Sequence, residues 1–220
     1  MDAELKNSIL RSGTTLVGIV CKDGVVMAAD KQSTAGNIVM DKDSQKIRIV
    51  NDYLAFAGTG MVADIQRSSK VAAAELRLKE LRAKSRPSVL NGASLLASMI
   101  YGSVRQPTMI QFMVGSLVGG VNEDGTAELY TIDPAGGIKK VKDYDANFGS
   151  GMPYVLGFLE REYKKNLSVE EGIRLAIESI KSSTQRDTGS GHGIDVYTIT
   201  KDGIKKVVDM EIVSEYKDIK

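Results

Sequence analysis

Strand-forming and helix-forming stretches of this 220-residue chain lie in separate blocks, and that segregation narrows the folds open to it. Thr14–Cys21 and Val25–Asp30 are rich in β-branched residues and flank Lys22-Asp23-Gly24. Asp and Gly tolerate the backbone angles of a tight turn, so this reads as a hairpin. Lys46–Val50 and Tyr53–Gly58 repeat the pattern around Asn51-Asp52. Apolar residues then recur every three or four positions, at Val62, Ile65, Ala72 and Leu76 and again at Val89, Ala93, Leu96, Ile100 and Val104. That spacing predicts two helices, separated near Pro87, with the charged segment Lys79–Arg86 leading into the turn. Strand signals return over Phe112–Asn122, Thr126–Pro134 and Lys139–Val141, and helical ones over Pro153–Lys165 and Val169–Ser183. Ser168 and Glu171 have the spacing of a capping box at the start of the last helix. A final hairpin, Asp195–Thr200 with Lys205–Val208, turns at Asp202-Gly203.

A doubly wound parallel sheet would alternate strand with helix, and this chain does not. The order predicts an α+β fold: two antiparallel sheets stacked face to face with a helix pair on each outer side. This four-layer αββα sandwich would form a single domain over residues 14–220.

Composition excludes several functions. Apolar residues make up 42% and charged residues 26%, and the net charge of +1 gives no footing for nucleic acid or an anionic membrane. One cysteine and one histidine cannot assemble a usual zinc site, and no Walker sequence is present, so no metal or cofactor is expected. Cys21 ends the apolar run Leu16–Cys21 and reads as a small hydrophobe. His192, two residues from Ser190 in a glycine-rich loop, lacks the spaced partners of a serine triad and reads as a loop residue. A single cysteine, no apolar leader segment and no run of 18 apolar residues lead to the expectation of a cytoplasmic protein.

Thirteen polar-leaning residues precede the first strand, and the junction reads Ser12-Gly13-Thr14-Thr15. A threonine inside a chain is a poor nucleophile. Exposed as a first residue, it gains its own α-amine, whose pKa of roughly 7.7–8.0 suits a general base near neutral pH. Gly13, without a side chain, would permit close approach to its carbonyl. On these four residues alone, a self-cleavage junction and an ordinary strand start are both open.

Six fragments in order bear on the choice: Thr14-Thr15-x-x-Gly18; Met27-Ala28-Ala29-Asp30; Gln45-Lys46-Ile47; Ala57-Gly58-Thr59-Gly60 with Asp64 and Gln66; Gly149-Ser150-Gly151; and Gln185-Arg186-Asp187 with Ser190-Gly191. From Thr14 to about Val208 the chain resembles the proteasome β-subunit family, most closely its archaeal type. The resemblance implies an N-terminal-nucleophile hydrolase fold and a threonine endopeptidase whose residues 1–13 are a propeptide, cut autocatalytically between Gly13 and Thr14. It implies Thr14 as nucleophile, Lys46 beside the threonine hydroxyl and Asp30 paired with Lys46. Ser150, Asp187 and Ser190 would surround the α-amine. Gly60 would offer an oxyanion-hole amide, a role that also suits its place where a strand gives way to a helix.

Ser33, Ser44, Gly58, Val62 and Gln66 match positions lining the pocket for the residue before the cut bond. None is charged, and Gly58 is expected to leave the pocket deep, so cleavage after large neutral residues is expected. The implied partners are other β-subunits in a seven-membered ring, α-subunit rings on either side, unfolded polypeptide substrates and an ATP-dependent unfoldase acting through the α rings. Two alternatives stand beside this reading: a non-catalytic structural β-ring subunit, and the hexameric bacterial-type threonine protease.

Overall fold

The computed structural model describes residues 13–213 and Glu215. Residues 1–12, and with them nearly all of the expected propeptide, lie outside the described residues. In chain order the elements are β1 (Leu16–Cys21), β2 (Gly24–Asp30), β3 (Ser33–Ala35), β4 (Ile38–Asp41), β5 (Ile47–Asn51), β6 (Leu54–Gly60), α1 (Val62–Ala83), α2 (Val89–Val104), β7 (Val114–Val121) and β8 (Ala127–Ile132). They continue as β9 (Ile138–Val141), β10 (Tyr144–Asp145), α3 (Met152–Glu162), α4 (Val169–Thr184), β11 (Gly193–Thr200) and β12 (Gly203–Glu211).

Two five-stranded sheets carry the fold, ordered β10-β1-β2-β11-β12 and β5-β6-β7-β8-β9, and every pairing in them is antiparallel. Alternation along each strand sends side chains into different layers. In β2, Val25, Met27 and Ala29 meet Ile47, Ala55 and Leu117 of the other sheet. Its intervening residues Val26 and Ala28 join Val155, Leu159, Ala176 and Ile180 of α3 and α4. On the far side, Leu76 of α1 and Leu96 and Ile100 of α2 pack on Phe56, Val118 and Ile132. Three apolar cores therefore separate four layers, the αββα sandwich the segregated pattern predicts. Both faces of β2 are covered, which is why Gly24–Asp30 reads as one apolar run rather than an alternating one.

Local signals account for the element ends. The Ser168–Glu171 capping box forms, and a second one joins Ser88 to Asn91 at the start of α2. Helix α1 runs to Ala83, through most of the charged segment expected to be a turn lead-in. Lys79, Glu80 and Arg82 are good helix formers, and Arg77 pairs with Glu80 one turn on. The hairpin β3–β4 and the two-residue β10 have no counterpart in the sequence reading. They are too short for periodicity to register, and β4 is exposed along its whole length.

Candidate active site

The site is assembled from strand ends and loops of both sheets. The two-residue turn after Cys21 fixes the β1–β2 register, Leu16 opposite Ala29, and so brings Asp30 beside Thr15. The Asp30 amide donates to the Thr15 carbonyl at 3.2 Å, and the Thr15 amide donates to Asp30 Oδ1 at 2.7 Å. Lys46, immediately before β5 in the second sheet, donates from Nζ to the same Oδ1 at 2.5 Å. Asp30 Oδ2 accepts from the amides of Gln32 and Gly191, each at 3.0 Å. The Asp30 carboxylate thus takes four donors while almost wholly buried. This is the setting in which a buried charge is tolerated. Burial lowers the pKa of Lys46 below the usual lysine range, and the charge and hydrogen bond of Asp30 oppose that shift.

Thr14 is buried at the mouth of this network, with Gly13 still attached. Its hydroxyl donates to the Gly13 carbonyl oxygen at 2.6 Å, so the side chain already lies against the peptide group that precedes it. The Gly13 amide donates to Thr34 Oγ1 at 2.7 Å. The Thr14 amide donates to Ser150 Oγ at 3.1 Å. Ser150 Oγ in turn donates to Asp187 Oδ2 at 2.6 Å, and Ser190 Oγ donates to the same oxygen at 2.5 Å. Thr15 Oγ1 lies 2.6 Å from Ser190 Oγ. With Ser190 donating to Asp187, Thr15 is the donor in that bond. A relay of hydroxyls therefore joins the nitrogen of Thr14 to a carboxylate. The loops 146–151 and 185–192, which carry two of the six fragments, place its members.

Gly60 closes β6 with φ of +115°, a backbone conformation that disfavours any side chain. A Cβ there would stand 2.1 Å from the Met113 carbonyl oxygen. Gly60 lines two hollows next to the junction. One is a cleft of about 720 Å³ bordered by Gly13, Thr34, Thr59, Phe148, Ser150 and Gly189. The other is a narrow cavity lined by Thr14, Lys46 and pocket residues described below.

The proteasome subunit family matches residues 10–199 of this chain. The chain belongs to the proteasome subunit family. A proteasome subunit beta of Nanoarchaeum equitans is 42% identical over 88% of this chain and 96% of its own length. Proteasome β-subunits of Methanocaldococcus jannaschii and Methanocaldococcus vulcanius are 40% and 38% identical, each over 91% of this chain and 87% of their own.

Four of the five expected pocket residues, Ser33, Ser44, Gly58 and Val62, line the narrow cavity with Thr14 and Lys46. Gln66 does not line it; its side chain is exposed on α1, and Ile65 one position earlier points inward. Gly58 does not leave the pocket deep. A Cβ on it would meet Ile65 Cγ2 at 2.7 Å, so Ile65 already fills the space the glycine vacates. Arg48 and Gln45 also line this cavity, and Thr34 grips Gly13; none of the three was among the expected site residues. Arg48 was legible in principle, since it shares its strand face with Lys46 two residues earlier.

Cys21, the other nucleophile weighed, is not activated. The Cys21 thiol is buried against Gly172, and burial, with Asp23 and Glu171 nearby, pushes its pKa up to about 12. His192 hydrogen-bonds Gln32 Oε1 through Nδ1 at 2.9 Å, in a left-handed backbone conformation. Among the described residues no group of His, Cys, Asp and Glu could hold a metal ion, and no helix is long and apolar enough to cross a membrane.

Proposed function

We propose that this proteasome subunit is catalytic: a threonine endopeptidase that first cuts its own chain between Gly13 and Thr14 and then hydrolyses unfolded polypeptides. The observation that carries this reading is the Thr14 hydroxyl held 2.6 Å from the Gly13 carbonyl oxygen, beside a buried Lys46–Asp30 pair. In the first reaction Thr14 Oγ attacks the Gly13 carbonyl carbon, the peptide bond to Thr14 breaks, and the resulting ester is hydrolysed. Residues 1–13 leave as a propeptide. The nitrogen of Thr14, freed as an amine, keeps Ser150 as neighbour and serves as general base in later rounds. Lys46, held charged by Asp30, favours the alkoxide and relays its proton. Ser150, Asp187 and Ser190 hold the amine and an attendant water. The Gly60 amide stabilises the oxyanion.

The chain works in this proposal within a seven-membered ring of β-subunits stacked against α-subunit rings. Substrates reach it from an ATP-dependent unfoldase acting through those rings, in the cytoplasm. Exposed apolar side chains support burial against partners, among them Ile38, Met40, Met109 and Ile110. A structural, non-catalytic subunit would have no use for Thr14, Asp30, Lys46 and Asp187 in one hydrogen-bonded neighbourhood.

The deciding experiment is the intact mass of the assembled wild-type protein beside its peptidase activity. A chain beginning at Thr14 is expected. A peptidase-active assembly that keeps residues 1–13 overturns the proposal, as does a Thr14→Ala variant with full activity.

A further inference from the structure

The narrow cavity beside Thr14 is lined by Arg48, a half-buried cation that has no side-chain partner among the described residues. Arg48 lies on β5 two residues beyond Lys46, on the strand face opposite Ile47, which packs between the sheets. It lines the same cavity as Thr14, Ser33, Ser44, Gly58 and Ile65. Its Nε is buried with no hydrogen-bond partner, and among the described residues Arg48 makes no ion pair. Arg86 is the other arginine with a buried, unpartnered Nε, yet its guanidinium sits 3.8 Å over the Tyr53 ring and donates to the Val121 carbonyl. Arg48 has neither support. Nor is Asp30 available to it: that carboxylate's two oxygens already hold four donors. A buried donor left unmade costs free energy, and the planar guanidinium matches a carboxylate in geometry and charge.

We infer that Arg48 is a specificity-determining residue, and that the cavity selects substrates with an acidic side chain, glutamate above all, immediately before the cut bond. This replaces the expectation of large neutral residues, which rested on five positions that did not include Arg48. An apolar side chain entering the cavity strips water from Arg48 and returns no partner. A carboxylate gives Arg48 its partner, and Ser33 and Ser44 line the same cavity with hydroxyl donors. Ile65, filling the space behind Gly58, keeps the cavity too shallow to favour a large aromatic side chain.

The inference rests on the threonine-peptidase reading above, and one experiment separates the two. The full chain, assembled with proteasome α-subunits and processed, is given fluorogenic peptides that differ only in the last residue: Glu, Asp, Leu, Tyr or Arg. The wild type is expected to show its highest kcat/KM with Glu. Arg48→Met is expected to lower the Glu-to-Leu ratio by about 30-fold or more, as for removal of one partner of a buried charge pair. Arg48→Lys keeps the preference in weakened form. A wild type that prefers Leu or Tyr, or an Arg48→Met ratio equal to wild type, overturns the inference and leaves the peptidase reading standing. A processed wild type that cuts none of the peptides overturns both. If Arg48→Met does not assemble, the wild-type panel and Arg48→Lys still decide.

Discussion

Gly13 and Gly189 lie against one another with no room for a side chain on either. A Cβ on Gly13 would stand 2.1 Å from Gly189 Cα, and one on Gly189 would stand 2.5 Å from Gly13 Cα. Substituting Gly13→Ala must therefore displace the loop that carries Asp187 and Ser190. Misplacement of about 1 Å can cost roughly 10²-fold in rate, so self-cleavage should slow by about that factor. On the proposed mechanism processing removes residue 13, so molecules that do mature should show wild-type kcat/KM. Following intact mass with time after assembly tests both halves. Unslowed processing contradicts the first.

Removing Asp30 should damage the fold as well as the chemistry. Asp30→Ala leaves Lys46 buried without its counter-charge and orphans the amides of Thr15, Gln32 and Gly191. Breaking a buried pair from one side typically costs about 3–5 kcal/mol. Thermal denaturation should show that loss, with processing and peptide hydrolysis abolished. Thr14→Ala should abolish both activities with little loss of stability. An unchanged melting temperature for Asp30→Ala would argue against the network described above.

The pH profile of peptide hydrolysis should be bell-shaped. Its rising limb follows deprotonation of the Thr14 amine, ordinarily at roughly pH 7.7–8.0. The falling limb follows loss of the Lys46 ammonium. Burial lowers that pKa, so the fall should come below the ordinary lysine value of about 10.4. The sign for stability is opposite. A lysine whose folded-state pKa is lowered binds fewer protons when folded, so its contribution to stability improves as pH rises from the folded value to the unfolded one. Activity should thus disappear on this limb while circular dichroism is unchanged. Hydrolysis that keeps climbing past about pH 10.4 would remove the ammonium from the mechanism.

Thiol reagents should leave the enzyme untouched. Cys21 is buried and its thiol is pushed up to about 12, so almost no thiolate exists near neutral pH. Iodoacetamide is expected to label it only after denaturation, with native peptidase activity unaffected. Rapid labelling of the folded protein with loss of activity would contradict this.

Much of this was legible in the chain because the signals are local. Asp-Gly turns marked hairpins, three- and four-residue spacing gave α1 and α2, a capping box marked the start of α4, and Thr14, Asp30 and Lys46 carried motif signatures. The unread parts depend on partners distant in sequence. Gln66 and Ile65 are neighbours on one helix, and only the rotation of α1 against β5 and β6 decides which faces the cavity. The depth attributed to Gly58 failed for the same reason, since its space is filled from another element. Thr34 sits in a three-residue strand too short to show a pattern, and nothing in its surroundings links it to Gly13, 21 positions away. Arg48 belongs to none of the six fragments, and its half-burial with Nε unpartnered appears only once β5 is packed against its neighbours.

Asp30 ends a strand of one sheet and Lys46 precedes a strand of the other, so neither sheet alone contains the pair. On the proposed mechanism, maturation then reports on folding. A chain whose halves have not closed on each other cannot sever its own leader, and an unsevered chain has no free Thr14 amine to serve as general base against anything else. The protease is disarmed for as long as it is incomplete, and the contact that joins its two sheets is also the safety catch.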